Sequence, residues 1–431
     1  MHSRPQTIRA RFGARSRGEE APLRILAAGW KALRFVCVSG WIAHAALTAR
    51  SADLPASATN APPDITYQNY RSPRGPWSIH VVRVPRGKAP FQVSAMHAGG
   101  RAIGLARLSD HTGLLRSDQL TPMAAINGDF YQRGGPYAGD PRGLQIVEGE
   151  LISAPSGSVS FWIDALGEPH AANTESLLQV TWPDGTTVPI GLNGNRSANE
   201  IELYTPALGA STQTGGGREL VLEPRGNAPS LPLRPGRIYP ARIREIRETG
   251  NTRIHPGTMV LSIGPALARR TPRVQSGDEL IVSTATSPSL RGARTAISGG
   301  PLLVQDGKRQ RIQPADSDSY EVTSMTERHP RSAIGWSENY FFLVQVDGRQ
   351  RNLSVGMTLN ELAAFLVEIG CQGAINLDGG GSATLWYDGR VRNRPCDGYE
   401  RAVANSVVVF KKNRATLDPE KTGAALSGRS R

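Results

Sequence analysis

The chain has 431 residues and a formal net charge of +13, with 39% hydrophobic residues, 47 glycines and 31 prolines. These proportions indicate a turn-rich globular protein and exclude a chain that is disordered beyond its ends. The length suits one large domain or two ordinary ones.

The positive charge is concentrated at the two ends of the chain. Residues 1–50 carry nine basic and two acidic side chains, and residues 411–431 carry six basic and two acidic ones. The body between them is nearly neutral and has no basic stripe interleaved with aromatic residues, so we expect no nucleic-acid partner. We interpret residues 411–431 as a basic disordered tail.

Residues 1–50 are typical of an export leader, with an Arg-rich arm followed by the apolar run Phe35–Ala49. Fifteen residues are short for a membrane span. We therefore expect a signal peptide, a linker at 51–67 and a periplasmic or secreted protein. An uncleaved N-terminal anchor is the alternative, and it alone would make a membrane partner necessary.

The cysteine count agrees with export. If Cys37 leaves with the leader, Cys371 and Cys396 remain, which is compatible with one disulfide in an oxidising compartment. Two unrelated buried thiols are the alternative.

The predicted body, 68–410, begins with strands. Trp77–Val84 alternates in polarity, and Met123–Asn127 is a short apolar strand that enters a turn. Leu144–Ser153 is a predicted hairpin about Glu148-Gly149. Residues 178–286 are many short strands separated by Gly, Pro and Asn turns, which predicts a β-rich segment inserted in one larger domain.

The C-terminal part combines strands with one helix. Tyr340–Leu353 is a predicted hairpin that turns at Asp347-Gly348. The next segment is a predicted helix with Thr358 and Glu361 as a capping box and Gly370 as its end. Strands then surround the loop DGGGS. The fold class that we predict is α+β, with mixed or antiparallel sheets and few helices.

The loop DGGGS places Asp378 at the exit of a buried strand. Asn376 lies two residues earlier, on the same strand face, and three glycines follow. Glycines leave the backbone accessible to a ligand and permit positive φ. The similar exit AAINGDFY, with Asn127, would meet this loop if the two strands converge on one site.

Five motifs in chain order resemble those of the phosphodiester glycosidases: NGDFY, SGGPLL, HPRSAIG, AINLDGGGS and NRPCDGYERAVAN. The resemblance spans roughly residues 65–410. Three positions depart from the pattern of that family, with Asp129 where Gly is more frequent, Ser332 for Thr and Cys396 for Ser. These departures affect the expected fit of the substrate more than the reaction class.

The resemblance implies hydrolysis of a sugar-1-phosphodiester at the glycosidic C1–O bond, which releases a sugar and a phosphate monoester. The partner would be a sugar-phosphodiester glycan or glycoconjugate of the cell envelope or an exopolysaccharide. Asp378 is the implied catalytic carboxylate, as nucleophile, general base or ligand of a sugar hydroxyl. His329 would bind the phosphate or act as an acid, and Asp347 is a weaker catalytic candidate.

The remaining candidates would bind the substrate. Arg331 and Arg401 would hold the phosphate, because a guanidinium binds its oxygens in pairs. Ser382 is a less suitable nucleophile, since its loop lacks the strand-to-helix turn that exposes one. The other substrate-binding candidates, through side chains or backbone N–H groups, are Asn127, Ser298, Gly299, Gly300, Asn376, Gly379, Gly380, Gly381 and Ser382.

Two further readings of the sequence stay open. Asp378 and Asn376 offer oxygen ligands that would suit Ca²⁺ or Mg²⁺, although the chain has neither a calcium-loop pattern nor zinc-type spacing. The protein would then be a metal-dependent phosphodiesterase that cleaves P–O. A non-catalytic module that binds envelope glycans is the other alternative.

Overall fold

The computed structural model describes residues 64–87, 90–98, 102–226, 231–312 and 324–413. The predicted leader lies outside them, as do residues 414–431 of the predicted tail. Strands prevail, as alternating and Val/Ile-rich segments favour. In chain order they are β1 (Thr66–Ser72), β2 (Trp77–Pro85), β3 (Phe91–His97), β4 (Leu120–Asn127), β5 (Gln145–Val147), β6 (Glu150–Ser153), β7 (Val159–Ile163), β8 (Pro169–Asn173), β9 (Glu175–Thr181), β10 (Thr187–Pro189), β11 (Gly191–Leu192), β12 (Ile201–Tyr204), β13 (Arg218–Pro224), β14 (Ile238–Arg247), β15 (Met259–Ile263), β16 (Glu279–Ser287), β17 (Thr295–Ser298), β18 (Leu302–Gln305), β19 (Lys308–Arg309), β20 (Arg331–Trp336), β21 (Tyr340–Val346), β22 (Gly373–Leu377), β23 (Leu385–Tyr387), β24 (Arg390–Val391) and β25 (Asn405–Lys412).

The helices are short. They are α1 (Leu108–Leu114) and α2 (Leu359–Glu368), and a 3₁₀ turn spans Gly380–Ser382. Within the described ranges, no helix has the length and apolar character needed to cross a bilayer. The predicted fold class, a β-rich α+β protein with few helices, is confirmed.

The strands form four sheets. A seven-stranded sheet has the order β1-β2-β21-β20-β22-β18-β19, and an eight-stranded sheet has the order β10-β9-β16-β14-β13-β15-β12-β11. Two five-stranded sheets have the orders β6-β5-β17-β7-β8 and β24-β23-β4-β25-β3. The described strand pairs are antiparallel, apart from the parallel pair β11–β12. The strand content predicted for residues 178–286 is confirmed by the eight-stranded sheet. Lys411 and Lys412, which we assigned to the predicted tail, instead end β25, because they pair with β3 and β4.

Helix α2 follows the local signals of its sequence. The Thr358 side chain accepts a hydrogen bond from the Glu361 N–H at 3.1 Å, and the Glu361 carboxylate accepts one from the Thr358 N–H at 2.9 Å. Gly370 ends the helix with a φ of +92°, which a glycine adopts without strain. The buried face, Leu359, Leu362, Ala363 and Leu366, packs on the seven-stranded sheet.

One predicted hairpin forms and another does not. Glu148 and Gly149 both have positive φ, as the tight turn between β5 and β6 requires. The hairpin predicted for Tyr340–Leu353 is wrong. Strand β21 pairs with β2 on one side and with β20 on the other, so neither edge is free for a returning strand.

Candidate active site

The two strand exits with similar sequences meet in space. Strand β22 ends beside β4, where the Asp378 N–H donates to the Gly128 carbonyl at 2.9 Å. The Asn127 side-chain amide donates to the Asp378 carbonyl at 2.6 Å. Its oxygen accepts from Ser332 Oγ at 2.7 Å and from the Thr384 N–H at 3.0 Å. Asn127 is fully buried, so it fixes the two exits to each other and does not face a sugar, contrary to our expectation.

The Asp378 carboxyl group lies where the sequence predicted it, at the centre of these exits. Burial raises its pKa to about 6, against the opposing effects of Ser382, Arg133, Arg401 and the Gly379 N–H. An aspartate of this kind is ionised at neutral pH but titrates within the physiological range. The environment thus suits a carboxylate that changes its charge during a reaction.

A second buried carboxyl group, Asp129, belongs to the same site. Its oxygens accept hydrogen bonds from the Phe130 N–H at 2.7 Å and the Gly143 N–H at 3.0 Å. Burial, and then the nearby charge of Asp378, raise the pKa of Asp129 to about 7. We noted Asp129 in the sequence only as a departure from the family pattern. The available signal was a charged residue beside Gly128 at the second strand exit.

Arginines surround this pair of carboxyl groups. Arg401 forms an ion pair with Asp397, with Nη2 and Oδ2 2.6 Å apart. Arg133 is exposed and affects the pKa of Asp378. Arg349 is also exposed and lies beside Gly380. The surroundings of the Asp378 carboxyl group are therefore rich in cationic side chains.

The glycines after Asp378 make room for protein groups. A Cβ at Gly379 would lie 2.6 Å from the Pro330 carbonyl oxygen, and the Gly380 N–H donates to that same oxygen at 2.9 Å. A Cβ at Gly381 would collide with the side chains of Arg401 and Asp397. We had expected the triplet to let a ligand approach the backbone. In the structure its absent side chains let Pro330 and the Arg401–Asp397 pair approach instead.

The expected anion site at Ser298, Gly299 and Gly300 is not available. All three backbone N–H groups donate to carbonyls of neighbouring segments, at 2.9, 3.0 and 2.8 Å respectively. The Ser298 hydroxyl bonds the Leu144 N–H and Ser160 Oγ, both at 2.7 Å. These residues hold β17 in place, so their role is structural and not the anion binding that we expected.

Arg331 does not occupy a phosphate-binding position. Its guanidinium donates to the backbone carbonyls of Met357, Ser324 and Glu327, at 2.8, 2.6 and 2.8 Å. Burial, and then the charge of Arg349, lower the pKa of Arg331 to about 10. This side chain stabilises the loop before β20, which is a correction to our expectation.

Asp347 is likewise structural. One carboxylate oxygen lies 2.9 Å from His80 Nε2, and the other accepts from the Arg394 N–H at 2.9 Å. Asp347 is not among the groups whose charges shift the pKa of Asp378 or of Asp129, so the structure does not support the catalytic role we expected for Asp347. His329 lies between two charged groups, with Nδ1 3.4 Å from the Arg349 guanidinium and Nε2 3.4 Å from the Glu327 carboxylate, and burial lowers its pKa.

Two buried polar atoms in the site lack a hydrogen-bond partner in the described residues. They are Asn376 Oδ1 and Ser382 Oγ. The Asn376 amide nitrogen donates to the Gly300 carbonyl at 2.9 Å. The Ser382 hydroxyl makes no hydrogen bond of standard geometry, although it is close enough to Asp378 to oppose the rise in the pKa of that carboxyl. Buried atoms of this kind usually have a partner, so both remain candidates for substrate contact.

The two remaining cysteines are free thiols, so the expected disulfide is wrong. Cys371 is buried in the core beneath α2, and burial raises the pKa of its thiol. Cys396 Sγ donates to Asp397 Oδ1 at 3.4 Å.

Among the described residues, no three His, Cys, Asp or Glu side chains are grouped to hold a metal ion.

A known protein is similar to part of this chain. The uncharacterized SPbeta prophage-derived protein YomE of Bacillus subtilis (strain 168) is 33% identical over 120 residues, which are 28% of this chain and 18% of YomE. The chain therefore spans less than a fifth of that relative.

Solved structures share the fold. A hypothetical protein from Synechocystis matches with a TM-score of 0.65 and 21% identity, over 81% of this chain and 62% of its own. A "putative exported protein" from Burkholderia pseudomallei K96243 matches with a TM-score of 0.61 and 21% identity, over 78% of this chain and 74% of its own.

The family comparison concerns the C-terminal part of the chain, which contains four of the five motifs and Asp378. NGDFY, with Asp129, lies before the matched region. The resemblance seen in the motifs is confirmed here, because residues 243–410 match the phosphodiester glycosidase family.

Proposed function

We propose that the protein hydrolyses sugar-1-phosphodiesters at the glycosidic C1–O bond. The observation that carries this proposal is the pair of buried carboxyl groups with arginine side chains close by. Burial raises the pKa of Asp378 to about 6 and that of Asp129 to about 7. Glycoside hydrolysis commonly uses two carboxyl groups in different protonation states.

The two carboxyl groups take different roles in this proposal. Asp378 has the lower pKa and is the ionised group, which acts near C1 as nucleophile or general base. Asp129 retains its proton longer and supplies it to the leaving oxygen. A phosphate monoester is a weak base, so the proton contributes less than it would for an ordinary alcohol.

The arginines would hold the phosphate. Arg133 and Arg349 form no ion pair with a carboxylate of the described residues. Arg401 is oriented by Asp397 and presents a rigid guanidinium. Such groups stabilise the negative charge that develops on the leaving phosphate. Asn376 Oδ1 and Ser382 Oγ would contact sugar hydroxyls.

We further propose that the protein works outside the cytoplasm, on phosphodiester-linked glycans of the envelope or an exopolysaccharide. The basic arm and apolar run of residues 1–50 support this location. The alternative, a module that binds such glycans without cleavage, would keep the arginines and tolerate the loss of Asp378.

Turnover and melting temperature, measured side by side on a panel of sugar-1-phosphodiesters, test this proposal. We expect Asp378→Asn to lower kcat by roughly two orders of magnitude or more, since the shape is preserved and the charge removed. Burial raises the pKa of Asp378, so its contribution to stability is full below about 3.8 and is lost as pH rises through about 6. The Asn variant should therefore melt no lower than the parent at pH 8.

Glu202→Gln is the matched control. Glu202 is also buried, and burial raises its pKa to about 8, but it lies in the eight-stranded sheet. We expect this variant to keep parental turnover. An Asp378→Asn variant that is destabilised yet fully active per folded molecule would defeat the proposal.

A further inference from the structure

A cavity lies at the end of β25 that is remote from Asp378. Strand β25 runs between the two places: Asn405, at its start, accepts a hydrogen bond from the Asp129 N–H at 2.7 Å, and Lys412, at its end, lines the cavity. Seven strand steps separate these residues, which corresponds to roughly 23 Å. The cavity has a volume of about 610 Å³, within the range of small-molecule sites.

Basic residues prevail around this cavity. Its lining contains five basic side chains and two acidic ones, which are Arg86, Arg234, Arg237, Arg294, Lys412, Glu148 and Glu168.

Part of this charge is already compensated. The Arg86 guanidinium lies 2.8 Å from the Glu168 carboxylate, and Arg234 donates to the Glu148 carbonyl at 2.8 Å. Arg234 also interacts electrostatically with the Glu150 carboxylate, whose pKa it lowers against the effect of burial. The positive charge that remains comes from three other residues.

Those three residues are Arg237, Arg294 and Lys412. Their side chains make no hydrogen bond or ion pair with another described residue. They come from three different segments: the loop before β14, the residue before β17, and the end of β25. Three cations without counterions, converging from separate segments on one concave surface, attract an anion.

Most of the remaining lining is apolar, and Gln92, Ser94 and Thr295 are its uncharged polar residues. Phe91, Ile163 and Phe341 contribute to the wall, and Phe341 is held in place by the Arg86 guanidinium, 5.1 Å from its ring centroid. A wall of this kind accommodates a carbon body rather than a bare inorganic ion.

We propose that this cavity binds a small organic anion, whose phosphate or carboxylate group contacts Arg237, Arg294 and Lys412 while its carbon body packs on Phe91 and Phe341. Guanidinium groups bind both anions in pairs of hydrogen bonds. The site is separate from the one around Asp378 and does not depend on the proposed hydrolysis.

Isothermal titration calorimetry at low ionic strength, with glucose 1-phosphate and glucuronate as probes and glucose as the neutral control, tests the proposal. We expect at least one anion to bind and glucose not to bind. The double variant Arg237→Glu/Arg294→Glu should weaken that binding about tenfold or more. Binding of only one anion supports the proposal and identifies the group that is recognised.

Two control variants show whether the anion binds in this cavity or elsewhere on the protein. Arg269→Glu/Arg270→Glu changes the net charge equally at exposed positions outside the cavity, and it should leave the affinity within about twofold. Arg401→Ala removes any binding of glucose 1-phosphate at the Asp378 site, and it should leave the binding event of the cavity, and the affinity for glucuronate, unchanged. Absence of anion binding, equal weakening in both double variants, or loss of binding only in Arg401→Ala would each overturn the proposal.

Discussion

Asp378 and Asp129 lie buried together, and their unequal pKa values predict the pH dependence of activity. We expect kcat/KM to rise through about pH 6 as Asp378 ionises, and to fall above about pH 7 as Asp129 loses its proton. The two limbs are properties of the interacting pair. Asp129→Asn should lower activity and remove the alkaline limb. An alkaline limb that persists unchanged in this variant would exclude Asp129 as the proton donor.

The two arginines from the family motifs should respond differently to substitution by lysine. Arg331→Lys should destabilise the protein by roughly 2–4 kcal/mol, because buried carbonyls lose charged donors. Arg401→Lys should raise KM for the phosphodiester and leave the melting temperature nearly unchanged, because a point charge replaces a planar fork. Parallel thermal unfolding and steady-state kinetics distinguish the two. If the Arg331→Lys variant were fully stable and had a raised KM, Arg331 would have to be assigned to phosphate binding.

At this scale the sequence identifies residue types better than their partners. Asp378 could be predicted because a charge follows a buried strand directly and precedes three glycines. Asp129 follows a strand exit in the same way, but its role was not recognised, since it depends on a neighbour 249 positions away in the numbering. Arg331 has the right chemistry for phosphate, but three backbone carbonyls occupy it, and no local pattern signals that contact.

At the scale of elements, the glycine loop between β22 and β23 positions the Arg401–Asp397 pair. Gly381→Ala would place a Cβ against both side chains. We expect a several-fold higher KM, since Arg401 must move from its position beside Asp378. Gly215→Ala is the matched control, because a Cβ there meets no atom within 4 Å. Kinetics equal to those of the control would show that the pair does not position the substrate.

Elements defined by local signals were predictable, and elements defined by their neighbours were not. Helix α2 carries its own cap, apolar face and terminating glycine, and the turn at Glu148-Gly149 contains its own positive-φ positions. The hairpin predicted at Tyr340–Leu353 failed because both edges of β21 are occupied by strands distant in sequence. Sheet order is a property of the whole chain, so the sequence predicted strands without their partners.

At the scale of the whole molecule, basic side chains lie near both ends of β25, beside Asp378 and Asp129 at one end and around the cavity at Lys412 at the other. The sequence predicted a nearly neutral body, because the net charge summed over the body does not show where basic side chains cluster.

We expect the exported protein to begin between about Ala45 and Asp53, since the apolar run precedes a polar linker. N-terminal sequencing of protein from the native host measures this directly. Retention of Met1 in a cytosolic fraction would contradict export.

The bond that is cleaved tests the central claim most directly. A panel of sugar-1-phosphodiesters is hydrolysed in ¹⁸O-labelled water, and the masses of the sugar and of the phosphate monoester are measured. We predict that the label enters the sugar at C1, because the pair Asp378 and Asp129 acts on the C1–O bond, and that Asp378→Asn incorporates almost none. Label found in the phosphate would show P–O cleavage and contradict the account.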